Sequence, residues 1–186
     1  MPFRTTSIQG LVIFEPAVYK DERGYFFESY NEQTWLKEGY EFRFVQDNQS
    51  FSTRNVIRGL HYQLEPYPQT KLIRVLQGTV LDVAVDLRKG SPTYGQHISI
   101  ELSAENKLQL LIPKGFAHGF SVLSETAQLS YKCDGFYNKE SEGGIRYDDP
   151  QLNIDWQVPG GKEIVSEKDR LLPTFAECRN NFEFKG

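Results

Sequence analysis

Short runs of apolar and polar residues with β-rich composition dominate the chain. Four of them are bounded by glycine, proline or polar turns and span residues 24–30, 42–51, 70–78 and 79–88. Four more read QHISIEL, NKLQLLI, GFSVLSE and TAQLSYKC. No helix long enough for a parallel crossover lies between these runs. The pattern therefore predicts at least eight strands in an antiparallel barrel or sandwich.

Two short helices are predicted beside these strands. Asn31 can cap the segment NEQTWLKEG, which ends at Gly39. Ser166 can cap a brief SEKDR turn before Pro173. Residues 134–161 are rich in glycine and acidic side chains, so we predict a long loop there that is either functional or mobile.

Length and composition indicate an ordinary globular protein. The 186 residues show no internal repeat or dividing linker, so we expect one domain over residues 1–186. No apolar run approaches the ~20 residues of a membrane helix, and MPFRTTSIQG lacks the apolar stretch of a secretory signal. Cys133 and Cys178 have no metal-binding spacing and are expected to be reduced thiols. We therefore expect a cytoplasmic protein.

The net charge of −4 argues against a nucleic-acid partner, because phosphate backbones attract an excess of lysine and arginine. It does not exclude a small anionic ligand.

The chain contains three histidines, and their settings differ. His97 follows a turn without polar neighbours, which favours a surface role. His61 lies in NVIRGLHYQ, where regular alternation would point Arg58 and His61 to opposite faces of the strand. For both side chains to reach one cavity, the strand must slip by one residue, and Gly59 is where a bulge can form.

Strand parity indicates further ligand contacts. Gln46 and Asn48 share one face of their strand, as do Phe26 and Glu28. A polar pair on an inward face suggests a ligand site and not a core.

The segment PKGFAHGF, which contains His118, resembles the second half-motif of the cupins, a jelly-roll family. Metal-binding cupins also need an H-x-H pair and a glutamate in the first half-motif. Here that segment reads GLHYQ, with Tyr62 and Gln63 where a second histidine could lie. We therefore expect no metal at this site.

A metal-free pocket can still move protons. His61 could act as a base if a carboxylate such as Asp169 fixed its tautomer. Lys71 could stabilise an oxyanion. Tyr131, which shares a face with Leu129 and Cys133, could return a proton, although a packed core aromatic is the alternative interpretation of this residue.

Together the segments resemble the dTDP-4-dehydrorhamnose 3,5-epimerase family over nearly the whole chain. The segments that carry the resemblance are RGYFFESY, FVQDNQSFS, NVIRGLHYQ, TKLIRVLQG, DVAVDLR, PKGFAHGF, LSYKC and SEKDRLLP. The resemblance implies a mainly β fold, a cupin-like jelly-roll antiparallel β-barrel with short peripheral helices. The implied activity is epimerisation of dTDP-4-dehydro-6-deoxy-D-glucose at C3 and C5 to dTDP-4-dehydro-L-rhamnose, without a cofactor.

The resemblance also assigns roles to residues of this chain. It implies His61 as general base, Asp169 as its partner, Lys71 as enolate stabiliser and Tyr131 as proton donor. The implied substrate-binding residues are Arg23, Phe26, Glu28, Gln46, Asp47, Asn48, Arg58, His118, Tyr137, Glu142 and Lys168. Among these, Arg23 and Arg58 would engage the pyrophosphate and Tyr137 would stack on thymine. A homodimer is implied in which N-terminal strands complete the neighbour's site.

Other functions stay open at this point. Related enzymes epimerise only C3 or only C5 in antibiotic-sugar pathways, although Tyr131 favours the double epimerase. Sugar-nucleotide ketoisomerases are expected to lack the set of Lys71, Tyr131 and Asp169. A non-catalytic nucleotide-sugar-binding cupin and a metal-dependent cupin oxygenase are the alternatives from other classes.

Overall fold

A computed structural model describes residues 2–186, which form thirteen strands and two short α-helices. In chain order these are β1 (Phe3–Thr5), β2 (Val12–Phe14), β3 (Val18–Asp21), β4 (Gly24–Phe27), α1 (Glu32–Lys37), β5 (Gln46–Thr53), β6 (Ile57–Gln63), β7 (Lys71–Gln77), β8 (Thr79–Asp86), β9 (His97–Ser103), β10 (Gln109–Ile112), β11 (Phe116–Val122), β12 (Thr126–Cys133), a 3₁₀ turn (Lys139–Ser141), β13 (Glu142–Gly144) and α2 (Glu167–Arg170).

Two antiparallel sheets face each other. One has the order β1-β2-β10-β7-β12-β5 and the other β13-β6-β11-β8-β9, while β3 and β4 form a separate hairpin. The pairs within these sheets are antiparallel. This arrangement confirms the predicted mainly β, cupin-like jelly roll.

Three apolar clusters hold these layers together. The first lies between the sheets and includes Ile73 and Leu129 from one sheet and Val80 and Phe120 from the other. The second lies on the outer face of the five-stranded sheet, which is covered by the segment from Ile145 to Phe182. The third covers the outer face of the six-stranded sheet with the aromatic residues around Trp35. The five-stranded sheet is thus buried on both faces.

Both helix predictions are confirmed. The Asn31 side chain accepts a hydrogen bond from the Gln33 amide at 3.0 Å, and Gly39 follows α1 with φ of 84°. The Ser166 hydroxyl accepts a hydrogen bond from the Asp169 amide at 3.0 Å and so begins α2. This cap fixes the start of the turn that carries Asp169.

Some predicted boundaries were wrong. The strand predicted over residues 24–30 ends at Phe27, and the one predicted over residues 42–51 begins at Gln46. Phe42 and Phe44 leave the strand pattern because their rings pack beside Trp35 in the third cluster.

The loop prediction for residues 134–161 was wrong in part, since β13 lies within it and pairs with β6. Glycines are needed there because of close packing: a Cβ on Gly143 would lie 2.4 Å from the Tyr62 ring, and one on Gly144 would lie 2.7 Å from Leu172.

No helix in residues 2–186 is long and apolar enough to cross a membrane.

Candidate active site

A bulge at Gly59 sets the orientation of the side chains on β6. His61 pairs with His118 of β11, whereas Arg58 pairs with Phe120, so three steps along β6 match two along β11. Gly59 has φ of 119°, and a Cβ there would lie 2.6 Å from the Gly119 Cα. The predicted slip is confirmed: Arg58 and His61 line the same cavity.

Two adjoining cavities lie between the sheets and share His61, Lys71 and Tyr131. The first has a volume of about 370 Å³ and extends towards Gln46 and Tyr137. The second has a volume of about 600 Å³; it extends towards Arg58, His118 and Asp169. His61 comes from the five-stranded sheet, and Lys71 and Tyr131 come from the six-stranded one. The site therefore presents potential bases and acids from two facing walls.

His61 and Asp169 form a hydrogen-bonded pair, with 2.8 Å between His61 Nε2 and Asp169 Oδ1. Asp169 is buried and also accepts a hydrogen bond from the Gly59 amide at 3.1 Å. Burial alone would raise the pKa of Asp169, but its bonds to His61, Gly59 and Ser166 bring that pKa below the usual aspartate value. An ionised Asp169 holds a proton on His61 Nε2, which leaves Nδ1 as the basic atom of the ring.

The facing wall carries the lysine and the tyrosine. Burial lowers the pKa of Lys71, and the neighbouring acidic groups Cys133, Asp82 and Glu142 act in the opposite direction. Burial raises the pKa of the Tyr131 phenol. Tyr131 therefore keeps its proton over a wide pH range and is suited to act as an acid.

Arg58 is fixed at the side of the second cavity. Its Nε donates to Ser52 Oγ at 3.0 Å, and one of its terminal nitrogens donates to the Phe51 carbonyl at 3.2 Å. These bonds aim a guanidinium at the cavity, which suits an anionic ligand group.

The mouth of the first cavity is polar. Gln46 donates to Asn48 at 2.9 Å, which confirms that the two side chains share the inward face of β5. The Tyr137 amide donates to Gln46 at 3.2 Å, and the Tyr137 hydroxyl donates to Glu142 at 3.3 Å. Lys168 pairs with Glu142 at 2.7 Å. Tyr137, Glu142 and Lys168 are thus linked to one another at the rim.

Comparison with known proteins identifies the family. The sequence model described as dTDP-4-dehydrorhamnose 3,5-epimerase matches residues 5–177. A protein of that name from Methanothermobacter thermautotrophicus is 52% identical over 169 residues, which are 90% of this chain and 91% of that protein. This chain belongs to the dTDP-4-dehydrorhamnose 3,5-epimerase family.

Crystal structures of dTDP-sugar epimerases superpose closely on this chain. The dTDP-4-dehydrorhamnose 3,5-epimerase from Elizabethkingia anophelis has a TM-score of 0.91 at 52% identity and covers 96% of this chain and 98% of its own. The dTDP-6-deoxy-D-glucose-3,5-epimerase from Legionella pneumophila, solved with dTDP-4-keto-L-rhamnose, has a TM-score of 0.88 at 51% identity over 92% of this chain and 91% of its own. These proteins are isomerases, and the chain is an enzyme of this epimerase family.

Four residues that the family resemblance assigned to substrate binding lie away from the cavity. The Asp47 side chain points to the opposite face from Gln46 and Asn48 and pairs with Lys132 at 3.0 Å. Arg23, Phe26 and Glu28 belong to the region around the β3–β4 hairpin, where Arg23 bonds to Asp21 and Phe26 is 70% exposed. Phe26 and Glu28 do line one surface groove together, as their shared parity predicts.

Sequence reasoning missed Ser50, which lines the second cavity, and Asp82, which lies behind it and bonds to the cavity residue His118. Ser50 continues the inward parity of Gln46 and Asn48, so the same alternation could have found it. Asp82 interrupts the apolar strand β8 on its inward side, and a charge at such a position is a signal for a buried polar pair.

Within residues 2–186, no group of three or more histidine, cysteine, aspartate and glutamate side chains could hold a metal ion. Gln63 stands near the position of the second cupin histidine, and its side chain instead bonds to the Tyr67 carbonyl at 2.7 Å and the Asn138 amide at 2.8 Å. Its polar atoms are therefore used to anchor the chain beside the cavity.

Proposed function

We propose that this enzyme epimerises dTDP-4-dehydro-6-deoxy-D-glucose at C3 and C5 to give dTDP-4-dehydro-L-rhamnose. The observation that carries this proposal is the His61–Asp169 pair, which faces Lys71 and Tyr131 across a shared cavity. A base and an acid on facing walls are what inversion of a carbon centre requires, because the proton leaves on one face and returns on the other.

The chemistry follows from the C4 ketone of this substrate. The carbonyl acidifies the hydrogens on C3 and C5, so His61 Nδ1 can remove one of them and leave an enolate. The negative charge develops on the C4 oxygen, where the Lys71 ammonium stabilises it. Tyr131 then delivers its proton to the opposite face of the carbon. Both groups return to their starting protonation states by exchange with solvent before the second centre is inverted.

Recognition of the dTDP group is proposed for the polar mouth and the second cavity. Tyr137 offers an exposed ring for stacking on thymine, beside the amides of Gln46 and Asn48. Arg58 offers its guanidinium to the pyrophosphate. Glu142 and Lys168 would orient Tyr137 through their bonds at the rim.

A homodimer is part of this proposal, because Arg23, Phe26 and Glu28 do not reach the cavity of their own chain. Strand β5 borders the cavity and is an edge strand of its sheet, and the aromatic side chains of Tyr25 and Phe26 are exposed on the hairpin. A neighbouring hairpin that covers this edge would bring those three residues to the site.

We also propose that residues 1–186 act as a single domain, which the packing of the segment from Ile145 to Phe182 onto the five-stranded sheet supports. A cytoplasmic location is proposed too, supported by the free thiols of Cys133 and Cys178.

Incubation with dTDP-4-dehydro-6-deoxy-D-glucose in deuterated water tests the function. Deuterium at both C3 and C5 of the product is expected. Deuterium at only one carbon would instead indicate a single-centre epimerase. No exchange with the wild-type enzyme would remove the proposed activity.

A further inference from the structure

Asp82 is a buried carboxylate behind His118 that the mechanism above does not use. On β8 the side chains of Val80 and Ala84 point into the space between the sheets, and Leu81 and Val83 point outward. Asp82 shares the inward parity and is 0% exposed. A carboxylate in such a place is costly unless it is hydrogen-bonded or paired with a charge.

The hydrogen-bond partner of Asp82 is His118. Both carboxylate oxygens lie near His118 Nε2, at 2.9 and 3.1 Å. His118 lines the second cavity together with His61 and Lys71. Because Nε2 is held by Asp82, Nδ1 is the ring atom left to meet a ligand, and no residue in the described chain, 2–186, bonds to it.

Lys71 lines the same cavity as His118, the partner of Asp82, and the charge of Asp82 acts to raise the pKa of Lys71. The titratable groups around the Lys71 ammonium come from both sheets: Cys133 and Tyr131 on β12, Asp82 on β8, His118 on β11, His61 on β6 and Glu142 on β13. Burial opposes the charged form of Lys71, and the charge of Asp82 favours it. Asp82 is the one of these groups that is a fully buried carboxylate, so its field is little screened by water.

We propose that Asp82 is a positioning residue of the epimerase site. It fixes the His118 ring through Nε2, so that Nδ1 faces the substrate, and it supplies the negative charge that keeps Lys71 protonated as the enolate forms. The inference rests on the proposed function, since the charge on Lys71 matters only if an oxyanion develops beside it. It makes Asp82 and His118 a second histidine–aspartate pair beside the cavity, with an electrostatic task instead of a proton-transfer one.

The substitution Asp82→Asn tests this role, because it keeps the shape of the side chain and removes its charge. We expect kcat to fall about tenfold or more with a small change in KM. We also expect the alkaline limb of the kcat–pH profile to move to lower pH, because Lys71 without its counter-charge loses its proton more readily. An alkaline limb at the wild-type position would overturn the proposal, whatever happens to Tm.

The matched control is Asp148→Asn, which removes the same charge at an exposed ion pair with Arg146 that lies outside both cavities. Its pH profile should match that of the wild type. An equal shift in this control would assign the effect to net charge and would also overturn the proposal.

A measurement on the wild-type enzyme does not depend on the variant folding. Nitrogen NMR of ¹⁵N-histidine-labelled protein should find His118 protonated at Nε2 at neutral pH. An unprotonated Nε2 would overturn the inference. This readout needs no turnover, so it separates failure of the Asp82 role from failure of the epimerase activity, which the deuterium experiment reports.

Discussion

The roles proposed for His61 as base and Tyr131 as acid rest on their positions on facing walls of one cavity. Because His61 would start both proton transfers, we expect His61→Ala to lower deuterium exchange into the sugar by at least about a hundredfold. Tyr131→Phe should retain part of the exchange, since the enolate still forms, but should yield little inverted product. A Tyr131→Phe variant with the product yield of the wild type would contradict the acid role.

The pH dependence of the activity should report on Lys71. Its pKa lies below the ordinary lysine value because it is buried, so the ammonium is lost as the pH rises through that lowered pKa. Tyr131 has a raised pKa and remains protonated over the same range. We expect kcat to fall on the alkaline side below the pH at which a free lysine titrates.

Lys71→Arg is the matched control for this pH profile, because guanidinium keeps its charge at alkaline pH. The residual activity of this variant should no longer fall on the alkaline side. If kcat still falls at the wild-type pH, the titrating group is a residue other than Lys71.

At the residue scale, the side chains that face the cavity could be predicted from the sequence where a strand alternates regularly between inward and outward residues. Gln46 and Asn48 were found from parity alone, and the same rule would have added Ser50. Arg58 with His61 needed one further step, the recognition that a glycine permits a bulge. Asp82 was missed because its partner His118 is 36 residues away along the chain, and sequence does not give the register between strands β8 and β11.

At the scale of elements, the bulge on β6 is the feature on which the site depends. Gly59→Ala should place a Cβ 2.6 Å from the Gly119 backbone at a positive φ. We expect the free energy of unfolding to fall by roughly 2 kcal/mol or more, together with most of the activity. Denaturant unfolding and the exchange assay measure both effects.

Gly90→Ala is the matched control, because Gly90 also has a positive φ, 83°, but has nothing within 4 Å of the added Cβ. It should cost about 1 kcal/mol and leave the activity unchanged. Equal losses in the two variants would argue against close packing as the cause.

Element predictions failed where tertiary packing replaced the local pattern. Phe42 and Phe44 have strand-like composition, yet they cover Trp35 outside the sheets. The glycines of β13 led to the prediction of a loop. In the structure they lie in a strand, where Tyr62 and Leu172 leave no space for a side chain. Such reasons involve residues distant in sequence, so a local pattern does not contain them.

At the scale of the whole molecule, the proposed hairpin exchange makes each site a product of two chains. His61→Ala and Arg23→Ala variants should therefore complement each other when they are co-refolded in equal amounts. Half of the random dimers would be mixed, and each would hold one intact site. We expect about a quarter of the wild-type activity at low substrate concentration. Activity no higher than the mean of the two separate variants would contradict a shared site.

Strand β6 contributes side chains both to the cavity and to the second apolar cluster. Its inward side chains include His61, while Leu60 and Tyr62 on its outward side belong to the core formed with the C-terminal segment, where Tyr62 meets Phe182. The strand that carries His61 thus also forms part of the second apolar cluster, so this strand cannot become mobile without disrupting that cluster. On heating, we therefore expect activity and folded structure to be lost in a single transition, without a folded but inactive intermediate.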